Sequence, residues 1–277
     1  MTYAKALAAG ARILAAADVP DAPGDARRLL AFAAEVDPSR IILIGPDPIP
    51  ADHQTRFDAA LAQRMQRVPV SHIIGRRAFY GRDFAISGAA LDPRPETEVL
   101  ITAALAQPFT RLLDLGLGSG AIALTLLAER PDATGVGVDL SADACAIAAQ
   151  NARLLSVVDR MQILQGSWFD PVGEDQFDLI VANPPYIALD EMPALAPELS
   201  YEPRMALTDE GDGLSAYRAI TAQAHAFLRP GGHIFFEIGP SQGAAVSGML
   251  QKSGFVAVQV LPDFDGRDRV VMGQNPL

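Results

Sequence analysis

The feature that most constrains the fold is an alternation that begins at Arg111. Short apolar runs read as strands over 111–116, 134–140, 161–165, 177–182, 233–238, 255–261 and 268–273, with helical periodicity over 119–129, 141–155, 213–228 and 241–252. A strand buried on both faces reads as a near-continuous apolar run, and parallel neighbours need a crossover between them. The order therefore predicts an α/β domain built on an open, doubly wound, mostly parallel sheet with helices on both faces.

Ahead of this pattern, residues 1–72 read as a small helical domain. Phe57, Leu61 and Met65 recur every four residues, Leu29, Leu30, Ala33 and Val36 form a second stripe, and Gly45-Pro46-Asp47-Pro48 breaks the pattern between them. "HIIGRRAFYGRDFAIS" sets aromatic residues around Gly75 and Gly81, so 73–92 reads as a β-hairpin linker and 93–277 as the larger domain. "DPRPETE" follows, stiffened by Pro93 and Pro95, and leads into a helix over 99–106. Arg94, Glu96 and Glu98 either border a pocket or form an ordinary acidic helix entry.

At 277 residues, 49% hydrophobic and 20% charged, the chain has the material for ordinary globular cores. Cys145 is the single cysteine, and His53, His72, His225 and His233 are scattered, which predicts no disulfide, no metal site and a reducing compartment. The opening stretch carries Arg12 inside its apolar residues and reads as an amphipathic helix, and no apolar run approaches the roughly 18 residues of a membrane span. A cytoplasmic protein with no membrane attachment is expected. Charge is uneven: residues 1–110 carry 12 basic and 12 acidic groups, whereas 111–277 carry 10 and 21. The second part would repel a nucleic-acid backbone and attract a basic protein, so no direct nucleic-acid binding is expected.

"LLDLGLGSGAIALTLL" is a strand, a turn through Gly116, Leu117, Gly118, Ser119 and Gly120, and then a helix. Glycines let backbone lie close to a ligand, and the turn falls where open α/β sheets bind one, although the same spacing satisfies a dinucleotide-binding pattern. Asp139, ending the next strand, is placed to accept hydrogen bonds from both ribose hydroxyls of an adenosine and does not by itself choose the cofactor. Ser141 is suited to cap the helix that follows. Asp114 offers a carboxylate to a cationic or amino group, which favours S-adenosylmethionine. Trp168, the only tryptophan, follows the third strand and is a candidate cover for the adenine.

The fourth strand runs straight into Asn183-Pro184-Pro185-Tyr186. In a doubly wound sheet it neighbours the first, which brings Asn183 beside the Gly116–Gly120 turn. A planar NH2 group on a carbonyl or ring has a delocalised lone pair and is a poor nucleophile that no ordinary base ionises near neutral pH. It has to be held. The side-chain oxygen of Asn183 and the carbonyl of Pro184 can each accept one of its N–H groups, the prolines fix the carbonyl direction, and Tyr186 offers a flat surface. These residues read as a clamp for a planar amine, with Asn183 and Pro184 as the catalytic pair.

"DPRPETE", "DLGLGSGAIAL", "ANPPYI", "YEPRMAL" with "GDGLSAYR", "FEIGPSQG" and "GRDRVVMG" occur in the order and spacing of the PrmC/HemK family, which the chain resembles over nearly its whole length. The resemblance implies a class I S-adenosylmethionine-dependent methyltransferase fold and methylation, by direct in-line transfer, of the side-chain amide nitrogen (N5) of the glutamine in the Gly-Gly-Gln loop of class 1 peptide chain release factors. It implies cofactor contacts by the Gly116–Gly120 turn, Asp139 and Trp168, an acceptor loop at Asn183 to Tyr186, and a helical domain that helps hold the release factor. A monomer is expected. The chain departs from the family pattern at Leu117, where Thr is common, at Asp92, where an apolar residue is usual, and in "TDEGDG". In "YEPR" a buried Glu202–Arg204 pair is expected to order the loop after Tyr186, with Glu237 and Gln242 organising the sheet end.

A base amino-methyltransferase shares this chemistry and is disfavoured by the acidic second half. A nicotinamide oxidoreductase lacks an evident catalytic histidine or tyrosine–lysine pair, since the only lysines are Lys5 and Lys252.

Overall fold

The computed structural model describes residues 1–277. Its first helices are α1 (Tyr3–Ala16), α2 (Ala22–Ala33), α3 (Ala51–Met65) and α4 (Val70–Ile74). The Thr2 hydroxyl accepts the Lys5 N–H and the Asp21 carboxylate accepts that of Gly24, each satisfying a donor that helix geometry leaves over. Tyr3, Ala6, Gly10 and Leu14 recur on one face of α1 and are buried, packing with Leu29, Leu30, Ile41, Phe57 and Leu61 into one apolar core. These helices, as residues 1–76, form one compact unit together with Ala196–Tyr201, a segment from far along the chain.

The second unit comprises Arg77–Leu195 and Glu202–Leu277. The hairpin strands β1 (Arg76–Phe79) and β2 (Arg82–Ala85) are followed by α5 (Thr97–Leu105), β3 (Arg111–Leu115), α6 (Ala121–Glu129), β4 (Thr134–Asp139), α7 (Ala142–Leu154), β5 (Met161–Gln165) and β6 (Phe177–Ala182). After a long irregular stretch come α8 (Arg204–Leu207), α9 (Ser215–Thr221), α10 (Ala224–Phe227), β7 (Leu228–Glu237), α11 (Gly243–Lys252), β8 (Val256–Pro262) and β9 (Asp268–Gln274). No helix is long and apolar enough to cross a membrane.

Seven strands form one sheet in the order β5-β4-β3-β6-β7-β9-β8. The first five pair in parallel, and β9 and β8 close the edge antiparallel. Side chains of β3 alternate between two cores: Leu112 joins Leu100, Ile101, Leu124 and Leu127 on one face, and Leu113 joins Phe177, Ile180, Tyr217 and Phe236 on the other. Burial on both faces explains why these strands read as continuous apolar runs. Helix α6 is buried at every position from Ala121 to Leu127, as expected of a helix covered on all sides.

The expected helix over 213–228 is two short helices instead. Leu228 already pairs with Phe177 and is buried in the sheet, so the chain must leave helical geometry at Phe227, and β7 runs through Pro230-Gly231-Gly232, which reads as a breaker in sequence. The helix expected from 119 begins at Ala121 because Gly116, Gly118 and Gly120 all lie at positive φ.

Candidate functional site

Strand order reverses between β3 and β6, which lie side by side with Leu115 opposite Ala182. The crevice beyond the carboxyl ends of strands at such a switch point is where open α/β sheets bind ligands. Both of the chain's unusual turns emerge there, Gly116–Gly120 from β3 and Asn183–Tyr186 from β6.

Backbone hydrogen bonds build the first turn. The N–H groups of Gly116 and Leu117 both donate to the Val138 carbonyl at 2.9 Å, bending the chain across the end of β4, and the Gly120 N–H closes the loop on the Leu117 carbonyl at 2.8 Å. Gly120 has φ +81°, and a Cβ there would sit 2.6 Å from Leu124 Cδ1, so a side chain would meet both strain and a clash. Leu117, where the family often has Thr, is buried: its methyl groups fill the space over Gly137, where a Cβ would lie 2.6 Å from Leu117 Cδ1. The departure exchanges a hydroxyl for apolar packing.

Asp139 stitches this turn to β4. Its Oδ2 accepts the Gly118 N–H at 2.7 Å and its Oδ1 accepts the Ser141 N–H at 2.9 Å, while the Ser141 hydroxyl caps α7 by accepting the Ala144 N–H at 3.2 Å. A carboxylate offers about four lone-pair directions, so two remain for hydroxyl donors. Asp114 is placed differently. It is buried beneath the turn, with Oδ2 accepting the Ala123 N–H at 3.1 Å at the start of α6 and Oδ1 without a partner, and burial pushes its carboxyl well above the usual range.

A cavity of ≈ 590 Å³ occupies the crevice, and its walls include Gly116, Leu117, Gly118, Ser119, Asp139, Trp168, Asn183 and Pro185. Asp114, Gly120, Pro184 and Tyr186 do not line it. A Cβ on Gly116 would lie 3.8 Å from Trp168 Cζ3 and 4.0 Å from the Asn183 carbonyl oxygen, which places indole, turn and Asn183 together. Asn183 Oδ1 is buried and has no hydrogen-bond partner. An unsatisfied buried acceptor costs about 1–3 kcal/mol, so this oxygen, on a residue that lines the cavity, keeps its capacity to accept a donor.

The clamp loop is held from behind. The Tyr186 carbonyl accepts from Gln242 Nε2 at 2.8 Å, the Gln242 Oε1 accepts the Gly239 N–H at 2.9 Å, and burial raises the Tyr186 hydroxyl pKa to about 12. Gly213 has φ +73°, and a Cβ there would be 2.2 Å from the Tyr186 carbonyl oxygen. Only glycine permits that approach. Glu237 is fully buried at the end of β7, where its Oε2 accepts the Thr97 hydroxyl at 2.6 Å and burial raises its carboxyl pKa to about 7.

The expected Glu202–Arg204 pair does not form. Glu202 accepts instead from Arg94, and Arg204 makes a two-pronged pair with Glu210 at 2.6 and 2.9 Å. Arg204 opens the short helix α8 while Glu202 precedes it, and Arg94 of the "DPRPETE" loop claims the buried acid. Arg94, Asp92 and Thr97 line the cavity, while Glu96 and Glu98 do not, and Glu98 accepts the Tyr80 N–H at 3.3 Å. Sequence reasoning missed Asp209, another lining residue. Its carboxylate accepts the N–H groups of Gly211, Gly213 and Ser215, which hold its pKa down to about 2 despite partial burial. An acid two residues ahead of Gly-x-Gly-x-Ser is the signal of such a turn. Glu210 has φ +59° in that loop, a conformation that favours glycine.

Profiles of two protein families match the chain: the PrmC N-terminal domain over residues 5–75 and the methyltransferase small domain over residues 86–214. A release factor glutamine methyltransferase of Cereibacter sphaeroides is 54% identical over 277 residues, covering 100% of this chain and 99% of that protein. The chain belongs to the release factor glutamine methyltransferase family. Another member, from Caulobacter vibrioides, is 39% identical, covering 100% of this chain and 98% of its own. Among solved structures, a methyltransferase from Pyrococcus furiosus superposes with a TM-score of 0.56 at 16% identity, covering 72% of this chain and 92% of that one. The 16S rRNA N2 G1207 methyltransferase of Thermus thermophilus, in complex with AdoMet and guanosine, gives 0.51 at 22%, covering 72% and 49%. At these identities the likeness shows the class I methyltransferase fold. The protein is accordingly a methyltransferase, with the family's helical domain ahead of the catalytic one.

Proposed function

We propose that this methyltransferase uses S-adenosylmethionine to methylate the N5 side-chain nitrogen of the glutamine in the Gly-Gly-Gln loop of class 1 peptide chain release factors, by direct in-line transfer. Its relatives' names support the acceptor protein. The observation that carries the chemistry is Asn183 Oδ1, buried and without a partner beside the glycine turn.

The residues fit the cofactor. Gly116 and Gly118 present bare backbone to the cavity, Asp139 keeps two lone-pair directions for the ribose hydroxyls, and the Trp168 ring lies against Gly116 where it can cover the adenine. When bound, the sulfonium supplies an electrophilic methyl group. Asn183 Oδ1 and the Pro184 carbonyl accept the two amide N–H groups, turning the π face of the nitrogen toward that methyl, and they stabilise the positive charge that develops on nitrogen before the surplus proton passes to solvent. Pro184 and Pro185 fix the loop backbone, and Tyr186 anchors it through Gln242. Asp114 supports the turn from below and sets the entry of α6. In this reading the helical unit helps hold the release factor, the protein acts as a monomer in the cytoplasm, and nucleic acid is not an acceptor.

The test is transfer of label from methyl-labelled S-adenosylmethionine to purified release factor, with a factor whose Gly-Gly-Gln glutamine is replaced by alanine as the comparison. Label on the intact factor and none on the replaced one is expected. Label in added RNA or DNA, with none on protein, would refute the assigned acceptor.

A further inference from the structure

The residues that follow Tyr186 are held by a second loop of the same catalytic unit. The Ile187 N–H donates to the Leu207 carbonyl at 3.0 Å, the Leu189 N–H donates to the Gly211 carbonyl at 2.8 Å, and Ile187 forms a parallel bridge with Thr208. Gln242 Nε2 ties the Tyr186 and Gly213 carbonyls to one amide group, at 2.8 and 3.2 Å. Residues 207–213 are the bed on which the far side of the acceptor clamp lies.

Little in that bed is regular structure. Glu210 at φ +59° and Gly213 at φ +73° lie in the left-handed region, and a chain keeps such conformations only where surrounding bonds fix them. Asp209 supplies the bonds. Its Oδ1 accepts the N–H groups of Gly211 and Gly213, each at 2.9 Å, and its Oδ2 accepts the Ser215 N–H at 2.9 Å where α9 begins. Partial burial opposes ionisation, yet these donors hold the carboxyl pKa down to about 2, so the group is a pure acceptor near neutral pH. Capping α9 needs only Oδ2. Oδ1 is used on the two glycines whose backbone meets the clamp loop, Gly211 at the Leu189 N–H and Gly213 against the Tyr186 carbonyl.

We propose that Asp209 is a positioning residue for methyl transfer: by fixing Gly211 and Gly213 it sets the backbone from Tyr186 to Leu189, and through it the aim of Asn183 and Pro184. The inference rests on the reading of the clamp given above. A shift of about 1 Å in groups that hold a reacting atom can lower the rate about 100-fold, so a support outside the reacting set acts on turnover.

Asp209→Ala is expected to lower kcat for release factor about 20-fold, with the dissociation constant for S-adenosylmethionine within about twofold. Asp209→Asn, which keeps Oδ1 for both glycines and loses the charge, is expected to lose about fivefold. A double-mutant cycle with Asn183→Ala separates positioning from plain support of the fold. Once the clamp acceptor is gone, little remains to aim, and Asp209→Ala should change the residual rate by about twofold at most, whereas general loss of stability lowers both backgrounds by one factor. Hydrogen exchange supplies a second reading: faster by about tenfold or more at the Leu189 amide in Asp209→Ala, and unchanged in β3 and β6. Should Asp209→Ala not fold, Asp209→Asn carries both measurements with the same pattern at smaller size. An unchanged kcat, equal factors in the two backgrounds, or unchanged exchange at Leu189 would overturn the proposal. Wild-type protein that labels no release factor would instead overturn the functional reading, while the exchange measurement, which needs no acceptor, still decides whether Asp209 holds the loop.

Discussion

Asn183 and Glu237 illustrate how single groups at this site are paired or left unpaired for a purpose. Asn183 Oδ1 has no partner, so replacing it costs the fold little, and on the proposed function it removes an acceptor for the amide. Asn183→Ala is expected to lower kcat about 100-fold with cofactor affinity changed only slightly, as is usual for a group that acts on developing charge. Steady-state kinetics alongside calorimetric titration of S-adenosylmethionine would check this, and affinity falling in step with kcat would count against it. For Glu237 the sign follows from its pKa, raised by burial from 4.5 to about 7. Between those values the folded protein holds a proton that the unfolded chain releases, so this group makes stability decline as pH rises through the window and contributes no further change above it. Glu237→Gln should therefore gain on wild type in urea denaturation as pH moves from about 5 to about 8. A stability difference that does not move with pH would show that the carboxyl is not protonated in the fold.

At the scale of elements, the loops at the carboxyl ends of β3, β4 and β6 are shaped by a few obligatory contacts. Gly213→Ala forces a Cβ against the Tyr186 carbonyl at positive φ and should cost about 1–3 kcal/mol in thermal unfolding, with turnover reduced because the clamp loop shifts. Wild-type melting and turnover in that variant would contradict the role given to Gly213. Ser141→Ala removes the cap of α7 and should cost only about 1 kcal/mol. Strands were the most legible elements in the sequence, because parallel strands buried on both faces are written as uninterrupted apolar runs such as "FDLIVA", and the glycine turn announced itself by composition. The region 186–214 was not legible. It carries little periodicity and its partners are distant: Arg94 for Glu202, Gln242 for the Tyr186 carbonyl, Arg64 and Arg67 for Glu198. The end of α10 at Phe227 was missed for a related reason, since the pairing of Leu228 with Phe177 is a tertiary demand that local helical pattern does not record.

At the scale of the molecule, a class I methyltransferase unit carries the crevice at the carboxyl ends of β3 and β6, and a separate helical unit, matched by the PrmC N-terminal family, takes in six residues, Ala196–Tyr201, from the irregular stretch after Tyr186. On the proposed function the site needs no general base, because the nitrogen is selected by being held, through Asn183 and Pro184. The measurement that bears most directly on this account is peptide-mapping mass spectrometry of release factor after incubation with S-adenosylmethionine and either the wild-type enzyme or Asn183→Ala. A single added methyl on the Gly-Gly-Gln glutamine with the wild type, absent at equal time with the variant, is expected. A methyl on any other residue, or equal modification by both proteins, would contradict it.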